Sequence, residues 1–267
     1  MIKKIYASFL ITFLLLCQLE NAYASERVVL LSVPSDIWYK RVYLLADKKS
    51  WMDFENFTVQ IGDRGVLVYH FPDWYHGKYD PALYYQDINE DMLEDVIIVL
   101  NNDKADHKEI HILNQIQDPY LRFEEAPVEP IDLTINRLVK IRKHNHILSI
   151  LASKIKYEID LSPYNFTNPR KPYFSTETVE YSIENGALIG TMSVNVVRDD
   201  SVYGGLLGYL TIVYFWDGKM YKAKYVTFQQ EEPEKSGTLS QWNTQGTILE
   251  RRVVNEQGGI FGSRRSN

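Results

Sequence analysis

The chain has 267 residues, 45% of them hydrophobic and 24% charged, with a formal net charge of -6. That apolar content suits one large or two small globular bodies and excludes a disordered chain, while the acidic balance argues against nucleic-acid binding, which needs surplus cations to displace phosphate counterions. One cysteine excludes a disulfide scaffold, and 19 Tyr favour a β-rich protein with broad half-buried sheets.

Lys3 and Lys4 precede an apolar run from Ile5 to Cys17, and Ala22-Tyr23-Ala24 gives the small-x-small pattern cut by signal peptidase. Residues 1–24 are therefore expected to be a secretory signal, cleaved before Ser25. The run is shorter than the ~20 residues of a spanning helix, and no later segment approaches that length. Leu16 before Cys17 argues against a lipoprotein signal, which needs a small residue there. The mature chain, without cysteine, is expected to be secreted or extracytoplasmic, with no membrane span once the signal is removed.

From Phe57 to Phe71 two apolar runs flank Gly62-Asp63-Arg64-Gly65, the pattern of a hairpin. The following stretch, Phe71 to Tyr79, includes Trp74 and Tyr75. As an exposed loop it offers aromatic rings for stacking on sugar faces; the competing reading packs both rings into the core. Asp95 to Leu100 is, after its first residue, wholly apolar and mostly β-branched, on both faces, which predicts an interior strand covered on both sides. Glu109 to Ile116 alternates and should pair beside it.

Pro127-Val128-Glu129-Pro130 reads as a stiff linker, so a β module is expected over 25–130 and a second over 131–230. Asp132 is placed to cap a short helix carrying Leu133, Asn136, Arg137, Leu138 and Ile141. Ile147 to Ile159 predicts a hairpin bent near Ser153-Lys154. Between Glu180 and Phe228 three or more strands form an expected antiparallel meander. Its turns fall at Glu184-Asn185-Gly186, at a Gly204-Gly205 loop and at an Asp217-Gly218 hairpin, and Tyr221, Ala223 and Tyr225 alternate with Lys222 and Lys224. Residues 231–267 read as a polar tail to which Thr247-Ile248-Leu249 could add a strand. The fold class is mostly β with minor α: a blade-like module with an acidic loop, then an antiparallel meander with one short helix.

The stretch from Asp87 to Asp95 carries the chemistry. Asp87, Asn89, Asp91 and Asp95 stand at relative positions 1, 3, 5 and 9, with the Leu93 carbonyl at position 7, immediately before the apolar strand. Ca²⁺ is a hard cation that takes six to eight oxygens, and alternate residues of a tight loop can turn theirs inward around it. Position 12 is Ile98, so the bidentate Glu of an EF-hand is absent. The competing reading is that the acidic residues only keep the apolar strand soluble.

A D-x-[DN]-x-D-G-x-x-D loop running into an apolar strand is the pattern of FG-GAP and VCBS repeats, the integrin-type propeller blade, and the segment from about Thr58 to Ile116 resembles one such module. The resemblance implies a structural Ca²⁺ site on Asp87, Asn89, Asp91, Leu93 and Asp95, with extracellular-type affinity on the order of 10⁻⁴–10⁻³ M. It departs at Met92, where the family has the glycine of a sharp turn. A single copy cannot close a propeller ring. One blade-like module followed by a meander also resembles small exported proteins of Gram-positive bacteria with no established activity.

His107 and His111 would converge on a metal if helical, but the alternation around them makes a strand, which is expected to turn the two histidines apart from zinc-chelating geometry. His144 and His146 lack a third ligand nearby. The sequence holds no G-x-S-x-G elbow, no H-E-x-x-H and no P-loop; a glycosidase carboxylate pair leaves no spacing signature. The expected function is non-enzymatic: an exported binding or envelope-associated component with a Ca²⁺ loop. Two alternatives stand beside it. One is a carbohydrate-binding or wall-hydrolysing protein that meets cell-wall glycan through Trp74 and Tyr75. The other is a secreted inhibitor or adaptor that engages an exported protein through a sheet edge.

Overall fold

A computed structural model describes residues 26–103, 107–117, 119–162, 173–174, 179–197 and 203–231. The expected signal segment, and the tail beyond Glu231 with Thr247-Ile248-Leu249, lie outside them. The chain is mostly β, arranged as antiparallel sheets with one short helix.

The first sheet is a four-stranded meander of β1 (Glu26–Val33), β2 (Val42–Lys48), β3 (Phe54–Ile61) and β4 (Leu67–His76). The expected hairpin is its β3–β4 pair, and Gly62 and Gly65 in the turn take φ of 81° and 62°, which glycine adopts without a Cβ clash. A second meander follows from β5 (Ala82–Gln86), β6 (Asp95–Asn102), β7 (His107–Ile116) and β8 (Arg122–Ala126).

Strand β6 is covered on both faces, as its unbroken apolar run requires. Val96, Ile98 and Leu100 point toward the first sheet and meet Val42, Leu44, Phe57 and Val59 there. Ile97 points the other way, into a cluster that reaches Leu148, Val194 and Leu210. Each fully buried aliphatic side chain of this kind contributes roughly 1.5–3 kcal/mol.

Helix α1 (Ile131–Leu138) starts at Pro130, which has no side chain able to cap it; Asp132 lies inside the first turn and makes no cap bond. Ile141, expected on the helix, lies in β9 (Val139–His144), because the chain turns extended at Val139. Strands β10 (Ile147–Ala152) and β11 (Ile155–Asp160) form the expected hairpin and complete a three-stranded sheet with β9. The last sheet joins β12 (Tyr173–Phe174), β13 (Glu180–Glu184), β14 (Ala187–Val197), β15 (Tyr203–Trp216) and β16 (Tyr221–Gln230).

Three details of the meander differ from expectation. Gly204 and Gly205 belong to β15 rather than to a loop. The β15–β16 connection uses four residues, Asp217 to Met220, because the Asp217 carboxylate accepts from the Lys219 and Met220 amides and closes a wider turn. A bulge opposite Val213 and Tyr214 skips Lys224, so the alternation changes phase: Tyr221 and Ala223 are buried while Tyr225 is exposed.

Pro127-Val128-Glu129-Pro130 is sewn to β16. Tyr221 donates its amide to the Pro127 carbonyl, and Glu129 donates to the Tyr221 carbonyl. Residues on both sides of Pro130, among them Ile88, Ile97 and Ile112 before it and Ile135 and Leu148 after it, meet in one hydrophobic cluster. No helix among the described residues is long and apolar enough to cross a membrane.

Candidate functional site

The acidic loop bridges β5 and β6, whose ends are held together by the Gln86–Asp95 pair. Its side chains turn inward onto the loop's own backbone. Asp87 accepts from the Glu90 amide at 2.8 Å and from the Met92 amide at 2.9 Å. Asn89 accepts from the Asp91 amide at 3.0 Å, and Asp91 from the Leu93 amide at 2.9 Å. These nested turns force left-handed backbone at Glu90 (φ 65°) and Met92 (φ 68°). Met92 takes this conformation although it is not glycine; its side chain stays clear of the turn, 91% exposed.

Asp95 sits at the base of the loop, fully buried. It accepts from the Gln115 amide at 3.0 Å and the Ile88 amide at 3.3 Å, tying the loop to β7. Burial pushes its pKa up to about 7; the two amides pull it back, and the Asp91 and Asp87 charges push it further up. Glu94 leaves the loop outward and pairs with Lys40 at 2.7 Å.

The donor set is all oxygen, which suits a hard divalent cation and not zinc. Asp87, Asn89 and Asp91 share one hydrogen-bonded loop with Asp95 beneath it, as the spacing anticipates. In this conformation, among the described residues, no three His, Cys, Asp or Glu side chains close on a common point as a metal cage does. The carboxylates hold the loop through its amides and keep further lone pairs unused.

Trp74 and Tyr75 lie elsewhere, on β4, a strand and not a loop. Trp74 is 7% exposed, and its indole is sandwiched: Phe71 stacks at 3.8 Å and His111 at 3.8 Å. Both ring faces are covered, so neither is open to a sugar. The Tyr75 hydroxyl lies 2.6 Å from Asp53 and 3.0 Å from Asp103, beyond the far end of β6 from the acidic loop. Burial and these two carboxylates push its pKa well above the ordinary tyrosine value.

Two features were not singled out by sequence reasoning, and a third corrects it: the β7 histidines, expected to be turned apart, share a face, because residues four apart on a strand lie on the same side. His107, Glu109 and His111 share one face of β7, with Glu109 between the histidines at 3.5 Å and 3.7 Å, and His111 also bonds Glu125 of β8 at 3.0 Å. Their strict alternation was the available signal, because side chains two apart on a strand share a face. The segment Ile37 to Tyr39 is exposed, with the Arg64 guanidinium 5.9 Å above the Trp38 ring. Beside it, a cleft of about 530 Å³ is lined by Ser32 to Asp36, Arg41 and Tyr43. Comparison with protein-family models, curated proteins and solved structures finds no match.

Proposed function

We propose that the chain is an exported, non-enzymatic binding module, envelope-associated or secreted, whose 87–95 loop takes up Ca²⁺ weakly and braces the strand that follows. The supporting observation is the loop's form. Asp87, Asn89 and Asp91 are already turned inward, Met92 already adopts the left-handed backbone that the D-x-[DN]-x-D-G-x-x-D pattern assigns to glycine, and Asp95 is buried where the loop enters β6. A divalent cation supplies the positive charge these acidic side chains lack. Asp87, Asn89, Asp91 and Asp95 would hold it through side-chain oxygens and Leu93 through its carbonyl. Mutual repulsion among the carboxylates without the ion makes binding stiffen the loop and β6 together.

Calorimetry of the mature protein with and without chelator tests this. At a Ca²⁺ concentration about tenfold above Kd, linkage adds roughly 1.4 kcal/mol, a rise of about 3–6 °C in Tm. Asp87→Ala and Asp91→Ala should abolish the rise. An unchanged wild-type Tm in millimolar Ca²⁺ removes the ion from the proposal.

A second reading, an adaptor for an exported protein, is favoured by the exposed Trp38 and Tyr39 beside Arg64, since aromatic and Arg side chains dominate interface hot spots. An exported partner bound by wild type and lost on Trp38→Ala with Tyr39→Ala, at unchanged Tm, supports it; a partner retained by that variant counts against it.

A further inference from the structure

The β10–β11 hairpin ends in the Ser153-Lys154 turn, and that turn is fixed against β16: the Val226 amide donates to the Ser153 hydroxyl at 2.8 Å. Leu148, Ile150 and Ala152 belong to the core, so Leu151 points out, between Lys140 of β9 and Lys156 of β11. Lys154 and Ile155 stand exposed at the tip, and Lys224 and Tyr225 stand exposed beside it on β16. One patch thus gathers four lysines around Leu151, Ile155 and Tyr225, with Ile155 52% and Tyr225 43% exposed.

The charge of this patch runs against that of the chain. The protein has 35 acidic residues and a net charge of -6, yet none stands between Asp132 and Glu158 or between Asp217 and Glu231, the two stretches that meet at Ser153. Glu158 pairs with Lys156, Asp217 with Lys222, and buried Glu129, on the same edge of β16, with Arg137. Asp160 shares the outer face of the hairpin but sits at its far end, opposite Ile147, and Asp132 lies on the first turn of α1, the end remote from β9. Among the described residues Lys140, Lys154 and Lys224 make no ion pair.

We propose that this patch docks on the surface of an anionic lipid bilayer, with the lysines meeting lipid phosphates while Ile155 and Tyr225 enter the headgroup boundary. The unpaired lysines select an anionic partner. The two exposed side chains select a bilayer over a soluble polyanion, because an acyl boundary rewards burial of an aliphatic group and a hydrated polymer does not. Tyrosine, apolar in its ring and polar at its tip, sits at headgroup level, and lysine stems lie along apolar surface with their ammonium groups in water. This rests on the envelope-associated reading and names the surface involved; it needs neither a spanning segment nor Ca²⁺.

The test sediments the full mature chain, in chelator, with vesicles of phosphatidylglycerol mixed with phosphatidylcholine and with vesicles of phosphatidylcholine alone. Wild type should bind the first and not the second, and binding should weaken steeply between about 0.1 M and 1 M NaCl, as the screening length falls from ~10 to ~3 Å. Lys154→Ala with Lys224→Ala should weaken it about 25-fold, roughly fivefold per cation. Ile155→Ser with Tyr225→Ser should weaken it at least about fivefold. Both variants should keep a nearly unchanged Tm, because all four side chains are exposed. Lys48→Ala with Lys78→Ala, the same loss of charge elsewhere, should change little. No binding to anionic vesicles, or an equal loss in that control, overturns the patch. Soluble polyphosphate bound as tightly as the vesicles, and indifferent to the Ile155 and Tyr225 changes, overturns the bilayer as its occupant. Cleavage of the lipid would overturn the non-enzymatic reading instead. Cell-derived protein that keeps residues 1–24 would overturn export and leave the vesicle result standing, whereas a Ca²⁺ response without vesicle binding sinks this patch alone.

Discussion

Glu129 is 9% exposed, and its carboxylate accepts from the Thr134 hydroxyl at 3.1 Å, the Ala223 amide at 2.9 Å and the Arg137 guanidinium at 2.7 and 3.2 Å. One side chain thus ties the Pro127–Pro130 segment, α1 and the outer edge of β16 together. Burial opposes its charge, yet Arg137, the Ala223 amide and Thr134 together hold its pKa below the ordinary carboxylate value. A depressed carboxylate stabilises the fold fully above its unfolded pKa, and that contribution fades as pH falls through the folded value. Arg137 is nearly half exposed, so solvent screens its share. Glu129→Gln, which leaves one acceptor oxygen and adds an amide facing other donors, should cost about 1–3 kcal/mol at neutral pH in urea unfolding. The gap to wild type should narrow below about pH 4; a gap that persists there would show that packing, not charge, carries the effect.

At the scale of elements, β4 is fixed to the second sheet by the ring stack of Phe71, Trp74 and His111. Around His111 stand Glu109 and His107 from β7, Glu125 from β8 and the two rings from β4. Burial works against its charge, but Glu109 and Glu125 outweigh burial and raise its pKa. A raised histidine contributes fully below its unfolded pKa near 6.5, and the contribution is lost as pH rises through the folded value. The stability difference between wild type and His111→Gln should therefore shrink by about 1 kcal/mol from pH 6 to pH 9; a difference independent of pH would reduce His111 to a packing residue. Such a latch was not legible in the sequence, because Trp74, His111 and Glu125 meet only through pairing of distant strands. Elements with local signals were legible: the glycine turn of β3–β4, the apolar run of β6, and the Asn185-Gly186 turn, whose φ values of 51° and 76° suit those residues. Strand β1 was not, since a bulge between Val29 and Leu31 breaks its alternation, and neither was the phase change at Lys224. The acidic loop was legible because its hydrogen bonds join residues two to five apart.

Over the whole molecule, β6 is a shared wall. Its even-numbered side chains belong to the core against the first sheet, and Ile97 belongs to the core that the later sheets build. Neither core can open without exposing one face of the same strand, so the two should melt together. Leu44 lies in the first core and Leu210 in the second, each fully buried. Leu44→Ala and Leu210→Ala should each cost about 2–5 kcal/mol. Both should lower the same calorimetric transition, with fluorescence and far-ultraviolet circular dichroism reporting one midpoint. Their effects should add in the double variant, because the two side chains contact different clusters. Two resolved transitions, with Leu44→Ala moving one and Leu210→Ala the other, would mean that β6 separates two independently folding bodies and does not couple them.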